Sequence, residues 1–103
     1  MDGLKITWTQ AAINQRTNVF NYWNNRNGNK KYSSKLNRGI RARVELLKTN
    51  PKLGVETTRK DFRVLYYLNY GIHYKTAKNF LFIVGFWDNR QNPEKLLQLL
   101  KSS

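Results

Sequence analysis

The hydrophobic residues of this chain change their spacing near its middle. In the first half, apolar side chains of residues 10–24 and 33–48 recur every three or four positions, as they do on one face of a helix. From residue 61 onwards, short runs of Tyr, Phe, Val, Leu and Ile are separated by turn-forming residues, a pattern typical of strands. We therefore expect a helical hairpin packed on an antiparallel sheet, in an α+β fold.

The first half has clear signals for where each element begins and ends. We predict a strand at Leu4–Trp8, a helix from Gln10 to about Asn24 capped by Thr9, an exposed connection at Asn24–Lys31, and a helix from Ser33 or Ser34 to about Lys48. The segment Asn50–Gly54 ends the second helix with a proline and a glycine. Arg16 falls within the otherwise apolar stripe of the first helix.

The second half is predicted to form a three-stranded antiparallel meander, with the N-terminal strand added at an edge. Its strands are expected at Asp61–Leu68, Gly71–Lys75 and Asn79–Trp87, with turns at Asn69–Gly71 and Thr76–Lys78. A short helix at Pro93–Lys101 completes the order β-α-α-β-β-β-α. We expect residues 1–103 to form one domain.

The charge of the chain points to an anionic partner. It has 19 Lys and Arg against 6 Asp and Glu, a formal net charge of +13. Such an excess attracts RNA, DNA, an anionic membrane surface or an acidic protein. The longest apolar run, Phe80–Trp87, is too short to span a bilayer, and the first residues show no signal peptide. We expect a cytoplasmic protein that does not bind membranes.

The composition also excludes several kinds of chemistry. Cysteine is absent, which excludes disulfides, thiolate metal sites and cysteine nucleophiles. The six carboxylates are scattered along the chain, and His73 is the single histidine. Metal sites and Ser-His-Asp triads need such groups gathered together. We therefore predict neither a metal nor a cofactor.

Basic and aromatic residues are concentrated on the predicted sheet, as suits a nucleic acid. The candidate RNA-binding residues are Arg59, Tyr67, Lys75 and Trp87. Metal-independent RNA cleavage needs a base, a cation at the phosphate and a proton donor. The candidates for these roles are Lys60, Arg63, His73 and Arg90. Arg63 and Arg90 can converge on one side of the sheet.

Each of these residues also has a purely structural interpretation. Arg63 can pair with Asp61 or Glu56, and Arg90 can pin a turn with Asp88. His73 can be a satisfied structural residue among the tyrosines. The basic residues of the second helix can simply face solvent.

Several segments in order along the chain resemble one family. They are Ile6–Ala12, Tyr22-Trp23, the residues Leu47, Asn50-Pro51 and Gly54 at the end of the second helix, Arg63 followed by Gly71–Tyr74, and Phe86–Pro93. Together they resemble the RelE/ParE superfamily of toxins from bacterial type II toxin–antitoxin modules. The closing Trp87–Pro93 segment is the most specific part of the resemblance, which covers nearly the whole chain.

The resemblance implies a small α+β toxin neutralised by an acidic antitoxin. RelE-like members cleave mRNA in the ribosomal A site, whereas ParE-like members inhibit DNA gyrase. In the cleaving branch, Arg90 matches the basic residue that contacts the substrate phosphate. Residues 91–96 lack the reactive Tyr or His that this branch often places after it.

From the resemblance we expect a toxin that cleaves mRNA on the ribosome, with Lys60, Arg63, His73 and Arg90 as its active-site residues. The alternatives are a gyrase inhibitor without catalytic activity and a decayed toxin that only binds its antitoxin. The basic side chains of the second helix are the predicted antitoxin contacts: Lys35, Arg38, Arg41 and Arg43.

Overall fold

A computed structural model describes residues 3–89 of the chain. Its elements are β1 (Lys5–Trp8), α1 (Gln10–Asn27), α2 (Lys31–Glu45), β2 (Val55–Glu56), β3 (Phe62–Tyr67), β4 (Tyr70–Ala77) and β5 (Phe80–Asp88). A short 3-10 turn, Leu46–Lys48, follows α2. The strands form one sheet in the order β1-β5-β4-β3-β2. The pair β1–β5 is parallel, and the other neighbours are antiparallel.

This architecture confirms the predicted α+β fold, with its helical hairpin and its N-terminal strand at a sheet edge. Neither helix of residues 3–89 is long and apolar enough to cross a bilayer. The predicted C-terminal helix, Pro93–Lys101, lies outside the described residues.

Several predicted boundaries differ from the structure. Helix α1 extends beyond the predicted end at Asn24 and includes the polar residues up to Asn27. It ends there because Gly28 adopts the left-handed conformation, with φ 70°, that commonly terminates a helix. Only residues 28–30 then separate the two helices. The turns of the meander are also shorter than predicted, since Leu68 and Lys78 adopt left-handed φ values of 53° and 55°. The two-residue strand β2 was not predicted.

The two helices bury their apolar stripes against one face of the sheet. The helical segment contributes the buried residues Leu36, Ile40 and Leu47. They form one hydrophobic cluster with sheet residues such as Ile72 and Leu81. We call this side of the sheet the helix face and the opposite side the outer face.

A β-bulge in β5 keeps its apolar residues on the helix face. His73 pairs with Gly85, whereas its neighbour Tyr74 pairs with Ile83, so Val84 is an extra residue in β5. Ile83 and Phe86 are three positions apart, and an unbroken strand would point them to opposite faces. Because of the bulge, both side chains join the core.

A glycine lets α2 approach the sheet closely. Gly39 faces Tyr67 of β3, and a Cβ atom at this position would overlap the tyrosine ring. The Tyr67 ring is half-buried against the core beneath the helix. The close approach of α2 therefore depends on the missing side chain of Gly39.

Tyr74 ties the loop after α2 to the central strand β4. Its hydroxyl donates a hydrogen bond to the carbonyl oxygen of Pro51 at 2.6 Å and accepts one from the backbone N–H of Gly54 at 2.8 Å. A Cβ atom at Gly54 would lie 2.5 Å from the Tyr74 hydroxyl oxygen. The loop that carries β2 is thus held by a buried pair of hydrogen bonds.

We predict that Tyr74→Phe lowers the free energy of unfolding by about 1–3 kcal/mol, because the substitution leaves the Gly54 N–H and the Pro51 carbonyl without their partner. Urea denaturation measures this change. Tyr66→Phe is the matched control, since the Tyr66 side chain is half exposed. An equal loss of stability in both variants would contradict the role assigned to the Tyr74 hydroxyl.

Candidate functional site

A cavity rich in cationic side chains lies at the end of the sheet where β2 meets β3. It has a volume of about 430 Å³. Its charged lining residues are Lys52, Arg59, Lys60, Arg63 and Lys75, with Glu56 and Asp61. We call it the basic pocket. Its surplus of cations suits an anionic ligand.

Within this pocket, the guanidinium group of Arg63 is held by the protein itself. Its Nη1 donates to the carbonyl oxygen of Gly54 at 2.8 Å, and its Nη2 lies 3.1 Å from Oε1 of Glu56. The pairing of Arg63 with Glu56, one of the structural alternatives, is therefore present. Burial raises the pKa of nearby Tyr74, while the Gly54 hydrogen bond and the charge of Arg63 oppose that shift. Tyr74 stays protonated and can donate its hydrogen bond at neutral pH.

Two of the predicted RNA-binding cations surround an aromatic ring that the sequence analysis did not select. The guanidinium carbon of Arg59 lies 4.5 Å from the centroid of the Phe62 ring, and Nζ of Lys75 lies 5.6 Å from it. Phe62 and Lys75 are also cross-strand partners. The ring thus holds two cations close together at the pocket rim.

His73 is buried on the outer face of the sheet. Its side chain is 8% exposed, and its Nε2 atom has no hydrogen-bond partner. Burial lowers the pKa of His73 to about 4. The imidazole is therefore neutral at pH 7 and a weak base.

The predicted active-site residues do not all come together. Arg63 shares the helix face with Leu65 and Tyr67, since alternate residues of β3 point to the same side. His73 pairs with Val64 and points to the outer face. Lys60 lies in the exposed connection between β2 and β3. Arg90 lies outside the described residues.

The predicted RNA-binding residues are also divided between the two faces of the sheet. Lys75 and Trp87 belong to the outer face, where Trp87 is buried. Tyr67 lies on the helix face beneath α2. Tyr67 and Trp87 therefore do not form one stacking surface.

The four cations of α2 that were predicted to bind an antitoxin also point in different directions. Arg43 turns towards β3, where its Nη2 donates to the carbonyl oxygen of Tyr66 at 3.2 Å. Arg41 lies on the opposite flank, beside α1 and β1. Lys35 and Arg38 are exposed on the outer surface of the helix.

A second cationic group, which the sequence analysis did not select, lies where α1 meets β1. The guanidinium carbon of Arg16 is 4.4 Å from the Trp8 ring centroid. Its Nε atom is buried and has no hydrogen-bond partner. Burial and then the charge of Arg41 lower the pKa of Arg16. The position of Arg16 within an apolar stripe was the signal that could have revealed it.

Acidic and histidine side chains do not gather anywhere in the described part of the chain. Within residues 3–89, no three His, Asp or Glu side chains are placed to hold a metal ion together.

The burial of His73 predicts a dependence of stability on pH. The pKa of His73 rises from about 4 in the folded protein to 6.5 when it unfolds. Between these values the unfolded chain binds a proton that the folded chain does not, so stability falls as the pH falls through this window. We expect His73 to account for about 2 kcal/mol of lost stability between about pH 7 and about pH 5.

Urea denaturation of the wild type and of His73→Gln at both pH values measures this contribution, because other titrating groups cancel in the difference. The wild type should lose more stability than the variant on acidification. Parallel pH profiles would contradict the burial of a neutral His73.

Comparisons with known proteins agree with this fold. A structure from the chromosomal ParDE toxin–antitoxin system of P. aeruginosa is similar, with a TM-score of 0.68 and 14% identity, over 81% of this chain and 92% of that chain. No curated protein matches the sequence. The family model described as the ParE toxin of the type II toxin–antitoxin system parDE matches residues 6–93. The chain therefore belongs to the ParE toxin family of type II toxin–antitoxin systems.

Proposed function

We propose that this protein is a toxin neutralised by a cognate antitoxin, and that it inhibits DNA gyrase by binding to it. Membership of the ParE toxin family supports the toxin role, and the similar ParDE structure comes from a toxin–antitoxin system. In the superfamily that the sequence resembles, ParE-like members act on gyrase. The excess of positive charge suits an acidic antitoxin.

The observation that favours binding over cleavage is the separation of Arg63 from His73. Attack by a 2′-hydroxyl needs proton transfer and phosphate stabilisation at one phosphate group. Here Arg63 bonds to Gly54 and Glu56 on the helix face. His73 is buried and neutral on the outer face. A toxin that binds its target needs no such convergence.

Ribosome-dependent cleavage of mRNA is the second candidate, and the basic pocket is the observation that favours it. Lys60 lines this pocket, while Arg59 and Lys75 lie over the Phe62 ring at its rim. Cations beside an aromatic ring are suited to an RNA strand. In this alternative, Arg63 and Arg90 would stabilise the scissile phosphate, and Lys60 or His73 would assist proton transfer.

Two measurements made together separate the candidates. Growth arrest after induction of the toxin should be accompanied by DNA damage and intact transcripts. Purified toxin should inhibit supercoiling of a relaxed plasmid by purified gyrase. Transcripts cut within translated codons, with gyrase unaffected, would contradict the proposal and favour mRNA cleavage. Growth without any arrest would show a decayed toxin and contradict both.

Substitutions of two predicted active-site residues, Lys60 in the basic pocket and Arg90 outside the described residues, provide the control. Lys60→Gln and Arg90→Ala should abolish transcript cleavage if the protein is an endoribonuclease, because the first removes a candidate for proton transfer and the second a candidate for phosphate stabilisation. If the protein acts by binding gyrase, neither variant has a cleavage activity to lose. Circular dichroism confirms that each variant is folded.

A further inference from the structure

Three phenylalanine side chains share the outer face at one end of the sheet. Phe80 and Phe82 alternate along β5 with the core residues Leu81 and Ile83, so their rings point away from the helices. Phe62, near the start of β3, lies on the same face two strands away. We call these three rings the aromatic platform.

The aromatic platform is open to solvent. Phe80 is 43% exposed, and Phe62 and Phe82 are half-buried. The rings of Phe80 and Phe82 are nearly parallel, with centroids 5.9 Å apart and an interplanar angle of 22°. Further along the same face, His73 and Trp87 are buried. Ring surface is therefore exposed at this end of the outer face and covered at the other.

Lysine side chains lie between and beside these rings. Lys75 of β4 is the cross-strand partner of both Phe62 and Phe82, so it lies between them. On β1, Lys5 is the partner of Phe80. The strand residues that share this patch are Lys5, Thr7, Phe62, Lys75, Ala77, Phe80 and Phe82, and none of them is acidic.

This alternation of rings and cations matches the two parts of a nucleotide. Neighbouring strands lie about 4.8 Å apart, so Phe62 and Phe82 are separated by about 10 Å, with Lys75 between them. Unpaired bases stack on aromatic rings, while Lys and Arg side chains hold the phosphates. An acidic peptide would match the lysines alone, because its carboxylates gain nothing from apolar ring faces. A duplex hides the faces of its bases, so an unpaired strand fits better.

We propose that a single-stranded nucleic acid binds across the aromatic platform, with its bases stacked on the phenylalanine rings and its phosphates beside Lys5, Arg59 and Lys75. The guanidinium carbon of Arg59 lies 4.5 Å from the centroid of the Phe62 ring. A bound strand extends from this rim of the basic pocket to β1. The inference goes beyond the proposed binding of gyrase and does not depend on it.

Phe80→Leu tests the stacking, with Tyr22→Leu as its matched control. Both changes remove an exposed aromatic ring without altering the net charge, but Tyr22 lies on α1, away from the platform. The probe is a fluorescent oligothymidylate of about ten nucleotides, and fluorescence anisotropy measures its affinity. We expect Phe80→Leu to weaken binding about fivefold or more and Tyr22→Leu less than about twofold.

A second probe separates stacking from charge in the unchanged protein. An abasic oligonucleotide of the same length has the same phosphates but no bases, so it should bind about tenfold more weakly or worse. Lys75→Gln should reduce the slope of log affinity against log salt concentration by about 0.7, because one phosphate contact is lost. Lys35→Gln, on the exposed surface of α2, should leave that slope unchanged.

The outcomes separate this proposal from the proposed function. Equal affinity for the abasic probe, equal effects of Phe80→Leu and Tyr22→Leu, or no binding by the wild type would overturn the platform. Gyrase inhibition, measured separately by supercoiling, would stand in each case. Replacing oligothymidylate with oligouridylate distinguishes DNA from RNA, since the stronger Phe80-dependent binding identifies the natural strand. Circular dichroism confirms that each variant is folded.

Discussion

Repulsion among cationic side chains is the constraint that shapes this small protein. Its formal net charge is +13, so most lysines and arginines have no carboxylate with which to pair. In several places aromatic rings take the place of the missing acids. The cation–aromatic pairs are Arg16 with Trp8, Arg26 with Trp23, and Arg59 and Lys75 with Phe62. Each such pair contributes about 0.5–1 kcal/mol at an exposed site, so much of the repulsion remains for a partner to relieve.

The sequence predicted the architecture well because hydrophobic spacing reports directly on which face is buried. The sequence could not show which candidate site residues lie together, because contacts between neighbouring strands depend on their register. Arg63 pairs with Tyr74, and a shift of one residue would have placed it opposite His73 instead. The strand sequences contain no signal strong enough to choose between these registers, and the bulge at Val84 adds a further shift. The unusual position of Arg16, by contrast, could be recognised from the sequence, because a charged residue interrupts the apolar stripe of the first helix there.

The cationic groups of this protein lie at opposite edges of the sheet. The basic pocket lies where β2 meets β3, whereas Arg16 and Arg41 lie beside β1 at the other edge. Relief of the repulsion at both places therefore requires a partner that contacts both edges of the sheet.

The most direct test of this account is the salt dependence of unfolding for the free toxin and for its complex with the antitoxin. Raising NaCl from about 0.05 M to about 0.5 M screens exposed charges. The account predicts that salt stabilises the free toxin, by weakening its self-repulsion, and destabilises the complex, by weakening the attraction between the basic toxin and its acidic antitoxin. A free toxin that loses stability with salt, or a complex that gains it, would contradict the account.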